Sequence, residues 1–209
     1  MIRSFCTKKA FIFDWSGTLN DNFNAYCQVC NLIFRHLGRE GITPEEIKRT
    51  FTLPYMKFWN YHFPDLSKED QDELYDKYVH QVDTLNLFPE TREILQFLNE
   101  KGFAQFIVSS DPEEKLLPEI KQTELTSYFI DVAAKVHEKG PVIASFVQKY
   151  QLDPVRTFYI GDSAGDVEAG KFAQVKTIGI TTGFQSSEGL AAAEPDHLID
   201  DLLEIKNIV

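Results

Sequence analysis

From Lys8 the chain reads KKAFIFD, a charged start followed by a short, nearly continuous apolar run that ends in an acid. Such a run predicts a central parallel strand buried on both faces, with Asp14 at its C-terminal edge. In open parallel sheets that edge is where ligands bind, because loops converge there and helix N-termini point inward. The rhythm then changes: from about Asn24 to Leu85 there is almost no strand signal. FNAYCQVCNLIFRHLG reads as a helix ended by Gly38, and Ser67 followed by Asp70 opens a second long helix with a capping-box-like start. Between them lies an aromatic stretch, PYMKFWNYHFP, bracketed by Pro54 and Pro64. Residues 20–87 are read as a helical insertion, a cap.

After Pro89 helix and strand alternate: TREILQFLNEKG as helix, FAQFIVSS as strand, a helix from Pro112, and a short strand around Tyr128 to Val132. A helix from Pro141 to Tyr150 leads into TFYIGD, then SAGDVEAGKFAQ, then KTIGIT. Repeated βα units of this length require a parallel sheet with right-handed crossovers. The expected architecture is α/β: a three-layer, Rossmann-like core with a parallel sheet, formed by residues 1–19 and 88–209, and an inserted helical cap, residues 20–87.

Composition narrows the function classes. With 43% hydrophobic and 25% charged residues in 209, the chain has the balance of a folded globular protein, expected as a monomer or weak homodimer. A net charge of −11 with no local run of Lys and Arg argues against nucleic acid as a partner. It does not exclude anionic metabolites, since a few placed cations and a metal reverse the field within one cleft. Cys6, Cys27 and Cys30 are too few for a disulfide framework, and the Cys27–Cys30 pair lies in a helix-like apolar run with no second pair to complete a zinc site. No apolar run reaches the length of a membrane span and no signal-peptide pattern opens the chain, so no membrane association and a cytoplasmic location are expected.

Acids and hydroxyls recur just after strands. Asp14 ends FIFD, Ser109 ends FAQFIVSS, Asp162 ends TFYIGD, and Asp166 follows in the next turn. If these strands are neighbours, their side chains meet on one edge. Two carboxylates there offer the hard oxygens that Mg²⁺ prefers. A screened Asp14 can attack phosphorus and form an aspartyl-phosphate. Ser109, or its neighbour Ser110, can donate to a phosphoryl oxygen, and a lysine can neutralise the developing charge.

The pattern resembles the haloacid dehalogenase superfamily: D-x-x-G-T from Asp14 to Thr18, the strand-ending Ser109, a lysine before a helix, and G-D-S-x-x-D from Gly161 to Asp166. The resemblance implies a hydrolase whose Mg²⁺ is held by Asp14, the backbone carbonyl of Ser16 and Asp162, with Asp166 behind them. It also implies a small phosphorylated substrate, with Thr18 and Ser110 among its contacts. The lysine is Lys135 or Lys139; Lys139, just before Gly140-Pro141, has the spacing from Gly161 similar to the family's and is preferred.

One departure matters. Phosphatases of this superfamily usually carry a second Asp two residues after the nucleophile as general acid and base, and here that position is Ser16. A serine with an ordinary pKa performs that proton transfer poorly, a handicap of about 10²–10⁴-fold on simple alkyl phosphates. The first motif, D-W-x-G-T with a small residue there, is similar to that of phosphonoacetaldehyde hydrolases, in which a cap lysine forms a Schiff base; Lys57 occupies a broadly comparable position. Haloacid dehalogenases proper also lack the second Asp, but they need no metal, and the retained Asp162 argues for one. A pseudoenzyme that binds phosphate or a protein partner is the non-catalytic alternative.

Overall fold

The computed structural model describes residues 8–209, so Cys6 lies outside the described residues. Its sheet contains β1 (Lys8–Phe13), β2 (Ala104–Val108), β3 (Asp131–Ala133), β4 (Leu152–Gly161), β5 (Lys176–Ile180) and β6 (His197–Ile199) in the order β3-β2-β1-β4-β5-β6, all parallel. β1 is central because Ala10 to Phe13 are apolar on both faces, and all four are fully buried. Phe13 lies opposite Ile107 on one side and Ile160 on the other. The chain builds outward from β1 to β3, then crosses back to lay β4 on the other side of β1. That reversal makes the β1/β4 boundary a topological switch point, where a crevice opens at the C-terminal ends of the strands.

Residues between β1 and β2 supply α1 (Phe23–His36), α2 (Pro44–Thr50), α3 (Met56–His62) and α4 (Lys68–Val79), then α5 (Thr91–Glu100). Thr43 and Ser67 cap α2 and α4, each accepting from an amide three residues on. The first four helices bury their own cluster, with Cys30, Ile33, Phe34, Phe58 and Trp59 at its centre, joined by Phe184 from the loop after β5. Cys27 and Cys30 are buried free thiols that fill this cluster. The chain leaves the sheet at Asn20 and returns at Leu87, and these two residues pair antiparallel, so both crossings run side by side.

The remaining helices cover the sheet: α6 (Glu113–Gln122), α7 (Lys139–Tyr150), α8 (Ala164–Phe172) and α9 (Ser187–Ala192). Alternation along β1 sends Phe11 and Phe13 to the face shared with α5 and α6, and Ala10 and Ile12 to the face shared with α7 and α8. This is the three-layer α/β arrangement that the pattern predicts.

Boundaries depart from the pattern in four places. β4 starts at Leu152 rather than in TFYIGD; Pro154 to Arg156 are exposed and the register on β1 shifts between Lys8 and Ala10, so no apolar run marks its start. Tyr128 sits in a 3-10 turn and the short strand lies at Asp131–Ala133. The α7 helix opens at Lys139, not Pro141. Finally, α9, β6 and a 3-10 helix at Leu202–Asn207 follow KTIGIT, too short to show a period.

Candidate active site

Because β1 and β4 pair in register up to Phe13 and Ile160, the residues just beyond them emerge together. Asp14 follows β1 and Asp162 follows β4. Asp166 comes from α8, whose N-cap Ser163 accepts from the Asp166 amide while the Asp166 carboxylate reaches back to the Ser163 amide, a capping box that pins Asp166 beneath the strand end. One carboxylate oxygen from each of Asp14, Asp162 and Asp166 lies within 4.8 Å of the others, and all three residues are buried. The first residue of α7, Lys139, lies between two of them, with Nζ 2.8 Å from Asp14 Oδ2 and 2.7 Å from Asp166 Oδ1. Lys135 is exposed, on the rim of the cleft, in a left-handed backbone conformation.

Two glycines allow this packing. Gly17 has φ +75°, and a Cβ there would fall 2.5 Å from Asp162 Oδ2; a Cβ on Gly183 would fall 2.0 Å from the same atom. The backbone thus closes on the carboxylate from two sides, and the Phe184 amide donates to Asp162 Oδ2 at 2.5 Å. Asp14 Oδ1 accepts from the Trp15 amide at 2.8 Å.

Three buried carboxylates share one lysine, so negative charge is in excess. Burial, then the Asp166 charge, push the Asp14 carboxyl up to about 6 against the pull of Lys139. Asp162 is raised well above the ordinary carboxylate range by burial and by both neighbouring acids. The oxygen donors and the charge deficit fit a hard divalent cation. Asp166 accepts from Lys139 and Tyr159 on one oxygen and from the Ser163 amide and hydroxyl on the other, whereas, among the described residues, Asp14 has a single partner on each oxygen and Asp162 has the Phe184 amide alone, which makes these two the freer donors.

The other wall of the cleft is built from the end of β2 and the start of α6. Ser109 Oγ and Ser16 Oγ both donate to Asp111 Oδ2, at 2.9 and 2.6 Å, and Lys115 Nζ donates to Asp111 Oδ1 at 3.0 Å. The strand-ending Ser109 thus lies at the cleft as expected, with its hydroxyl on Asp111. Ser110 lines the cleft but gives its hydroxyl hydrogen to the Val136 carbonyl at 2.8 Å. The cleft that these groups line has a volume of about 710 Å³ and extends between the sheet edge and α1, α3 and α4, where its wall includes Tyr26, Phe51, Tyr55 and Tyr75. In the aromatic stretch of the insertion, Phe58 and Trp59 are buried in the helical cluster, while Tyr61 is exposed.

Two expected contacts fall elsewhere. Thr18 is wholly buried, outside the cleft lining, with no partner for Oγ1, because the tight turn that directs the amides of residues 18 to 20 at the Trp15 carbonyl tucks its side chain inward. Lys57 is exposed on α3, which buries Phe58 and Trp59 instead, and does not line the cleft. Asp111, Lys115 and Asn22 were not anticipated. The i,i+4 spacing of Asp111, Lys115 and Glu119 was the available signal for the first two.

Residues 11–180 match the model of the haloacid dehalogenase-like hydrolase family. The chain belongs to that family. Family relatives include a phosphoglycolate phosphatase of Vibrio parahaemolyticus, 31% identical with 96% of each chain covered, and one of Vibrio vulnificus, 26% identical with the same coverage. Among solved structures, a haloacid dehalogenase-like family hydrolase from Streptococcus pneumoniae superposes with a TM-score of 0.81 at 23% identity, over 96% of this chain and 98% of that one. The matched span of this haloacid dehalogenase-like hydrolase runs from β1 to β5, and these comparisons do not show the resemblance to phosphonoacetaldehyde hydrolases.

Proposed function

We propose that the protein is a Mg²⁺-dependent phosphatase of small phosphate monoesters that works through phosphorylated Asp14. The observation that carries this reading is the group of three buried carboxylates with one bridging lysine at the end of the central strand. Asp14, Asp162 and the Ser16 backbone carbonyl would hold the cation, and Asp166 would orient Lys139 and the loop behind it. When bound, Mg²⁺ neutralises the excess carboxylate charge and draws electron density from the phosphoryl group.

Asp14 attacks phosphorus as the bond to the ester oxygen breaks, and the departing alkoxide takes its proton from solvent water; water then attacks the same phosphorus, its hydrogens leave on inorganic phosphate, and the carboxylate is regenerated. Lys139, held against Asp14, stabilises the negative charge that grows on the phosphoryl oxygens. The insertion, residues 20–87, acts as a cap whose aromatic wall contacts the leaving group. The names of the curated relatives favour a small phosphorylated acid such as phosphoglycolate. A Mg²⁺-dependent phosphate-release screen over phosphoglycolate, other small phosphate esters and phosphonoacetaldehyde, run on wild type and Asp14→Asn, tests this reading. Turnover without Mg²⁺, or full activity in Asp14→Asn, would overturn it. Mg²⁺ binding without any turnover would favour a binding protein.

A further inference from the structure

Every hydrogen-bonding position of the Ser16 hydroxyl but one can be accounted for. The Gly17 amide donates to Asn22 Oδ1 at 3.1 Å, which turns Asn22 Nδ2 toward Ser16 Oγ at 2.8 Å. Ser16 Oγ therefore accepts from Asn22, and its own hydrogen goes to Asp111 Oδ2. One lone pair remains, on a side chain that lines the cleft. Ser109 is in the same state: it donates to Asp111 Oδ2 and accepts from the Asp111 amide at 3.2 Å. Lys115 Nζ donates to the other Asp111 oxygen, Oδ1, at 3.0 Å, so Asp111 faces three donors and acts as the acceptor of both hydroxyls.

We infer that Asp111 is a positioning residue: anchored by Lys115, it draws the hydrogens of Ser16 and Ser109 to itself, so that Ser16 offers the cleft an acceptor for the water that hydrolyses phosphorylated Asp14. This inference rests on the phosphatase reading. The family's usual acid at this position is absent, and no proton is needed for the second half-reaction. The water oxygen bonds to phosphorus as the Asp14 oxygen–phosphorus bond breaks, both water hydrogens leave on inorganic phosphate as H₂PO₄⁻, and Asp14 returns as carboxylate. What the step needs is a water held in line, and a fixed acceptor supplies that. Departure of the alcohol gains nothing from Asp111, so the residue acts on one half of the cycle.

The experiment uses the Mg²⁺-loaded protein and p-nitrophenyl phosphate, whose leaving group needs no acid, so that hydrolysis of the intermediate limits turnover. Asp111→Asn, Ser16→Ala and the double variant are compared for kcat, KM and the acid-trapped phosphoenzyme formed from ³²P-labelled substrate. The expected result is a kcat lowered about tenfold in each single variant, the scale of one lost hydrogen bond, with KM lowered in step so that kcat/KM is nearly unchanged, and with trapped phosphoenzyme that decays about tenfold more slowly after a chase with unlabelled substrate. The double variant should be no worse than the singles, because both remove one device. Multiplying losses, or a lowered kcat/KM with phosphoenzyme decay at the wild-type rate, would overturn the inference and leave the phosphatase reading standing. Absence of phosphate release by wild type would overturn both. If Asp111→Asn does not fold, Ser16→Ala, which leaves the Lys115 pair intact, must still slow the decay of trapped phosphoenzyme, and a wild-type decay rate in it overturns the inference.

Discussion

Lys139 bridges Asp14 and Asp166 at 2.8 and 2.7 Å, and Lys115 bridges Asp111 and Glu119 at 3.0 and 3.9 Å. The two arrangements face each other across the cleft and have opposite effects on the carboxylate nearest the chemistry. Asp14 is raised to about 6, whereas Asp111 is lowered. The difference lies in the surroundings of each lysine. Beside Lys139 a third buried acid, Asp162, leaves two charges in excess. Beside Lys115 the second acid is instead satisfied by neutral donors, Trp15 Nε1 at 2.7 Å and Thr84 Oγ1 at 2.9 Å, and the pair keeps some contact with solvent. One lysine neutralises one buried carboxylate; what remains decides whether the wall calls for a cation or orients hydroxyls.

The comparison breaks most sharply at Asp14. Asp14→Asn should lower turnover by ~10⁴-fold or more, the range seen when a covalent nucleophile is removed, while Tm stays level or rises because one repelling charge is gone. Steady-state assay with a thermal melt checks both, and a large fall in Tm would mean that Asp14 is structurally required. Asp162→Ala comes next. It should abolish measurable Mg²⁺ binding by calorimetry, whereas Asp166→Asn should weaken it by roughly 10–100-fold, as expected of a residue that orients rather than ligates.

Removing each lysine in turn sharpens the contrast. Lys139→Met should cost about 3–5 kcal/mol in urea melts of the metal-free protein, the scale for breaking a buried pair, and Lys115→Met less, since its partners have other donors or solvent. Equal losses would mean that the two walls do not differ as described. A smaller effect follows from pH. Asp14 holds its proton more tightly folded than unfolded, so it stabilises the metal-free protein below about pH 4 and that contribution is lost as pH rises through about 6. Mg²⁺ competes with that proton. The rise in Tm on adding Mg²⁺ should therefore be largest near pH 7.5 and shrink below pH 6, and an increment independent of pH would argue against ligation by Asp14. Last, Lys57→Ala should leave turnover within about twofold, since a solvated surface side chain away from the cleft has little to lose.

Much of the architecture was legible because local patterns carry it. A strand buried on both faces must be apolar, so KKAFIFD announces a central strand and places Asp14 at its end; the family likeness of the segments around Asp14 and Gly161 is likewise local. The C-terminal elements were not legible, since a three-residue strand such as β6 has no period to detect. What only the tertiary structure decided is which side chains meet. Spacing favours Lys139 over Lys135, but only the fold shows that Lys139 opens a helix and reaches Asp14. Thr18 and Lys57 read as substrate contacts until a turn and a helix face direct them away, and nothing marked Asp111 until β1 and β2, paired side by side, brought Ser16 and Ser109 to it. Hydrophobic periodicity depends on neighbours three or four residues away, whereas a hydrogen bond between residues 16 and 111 depends on strand order, register and the direction of each side chain, none of which a single segment contains.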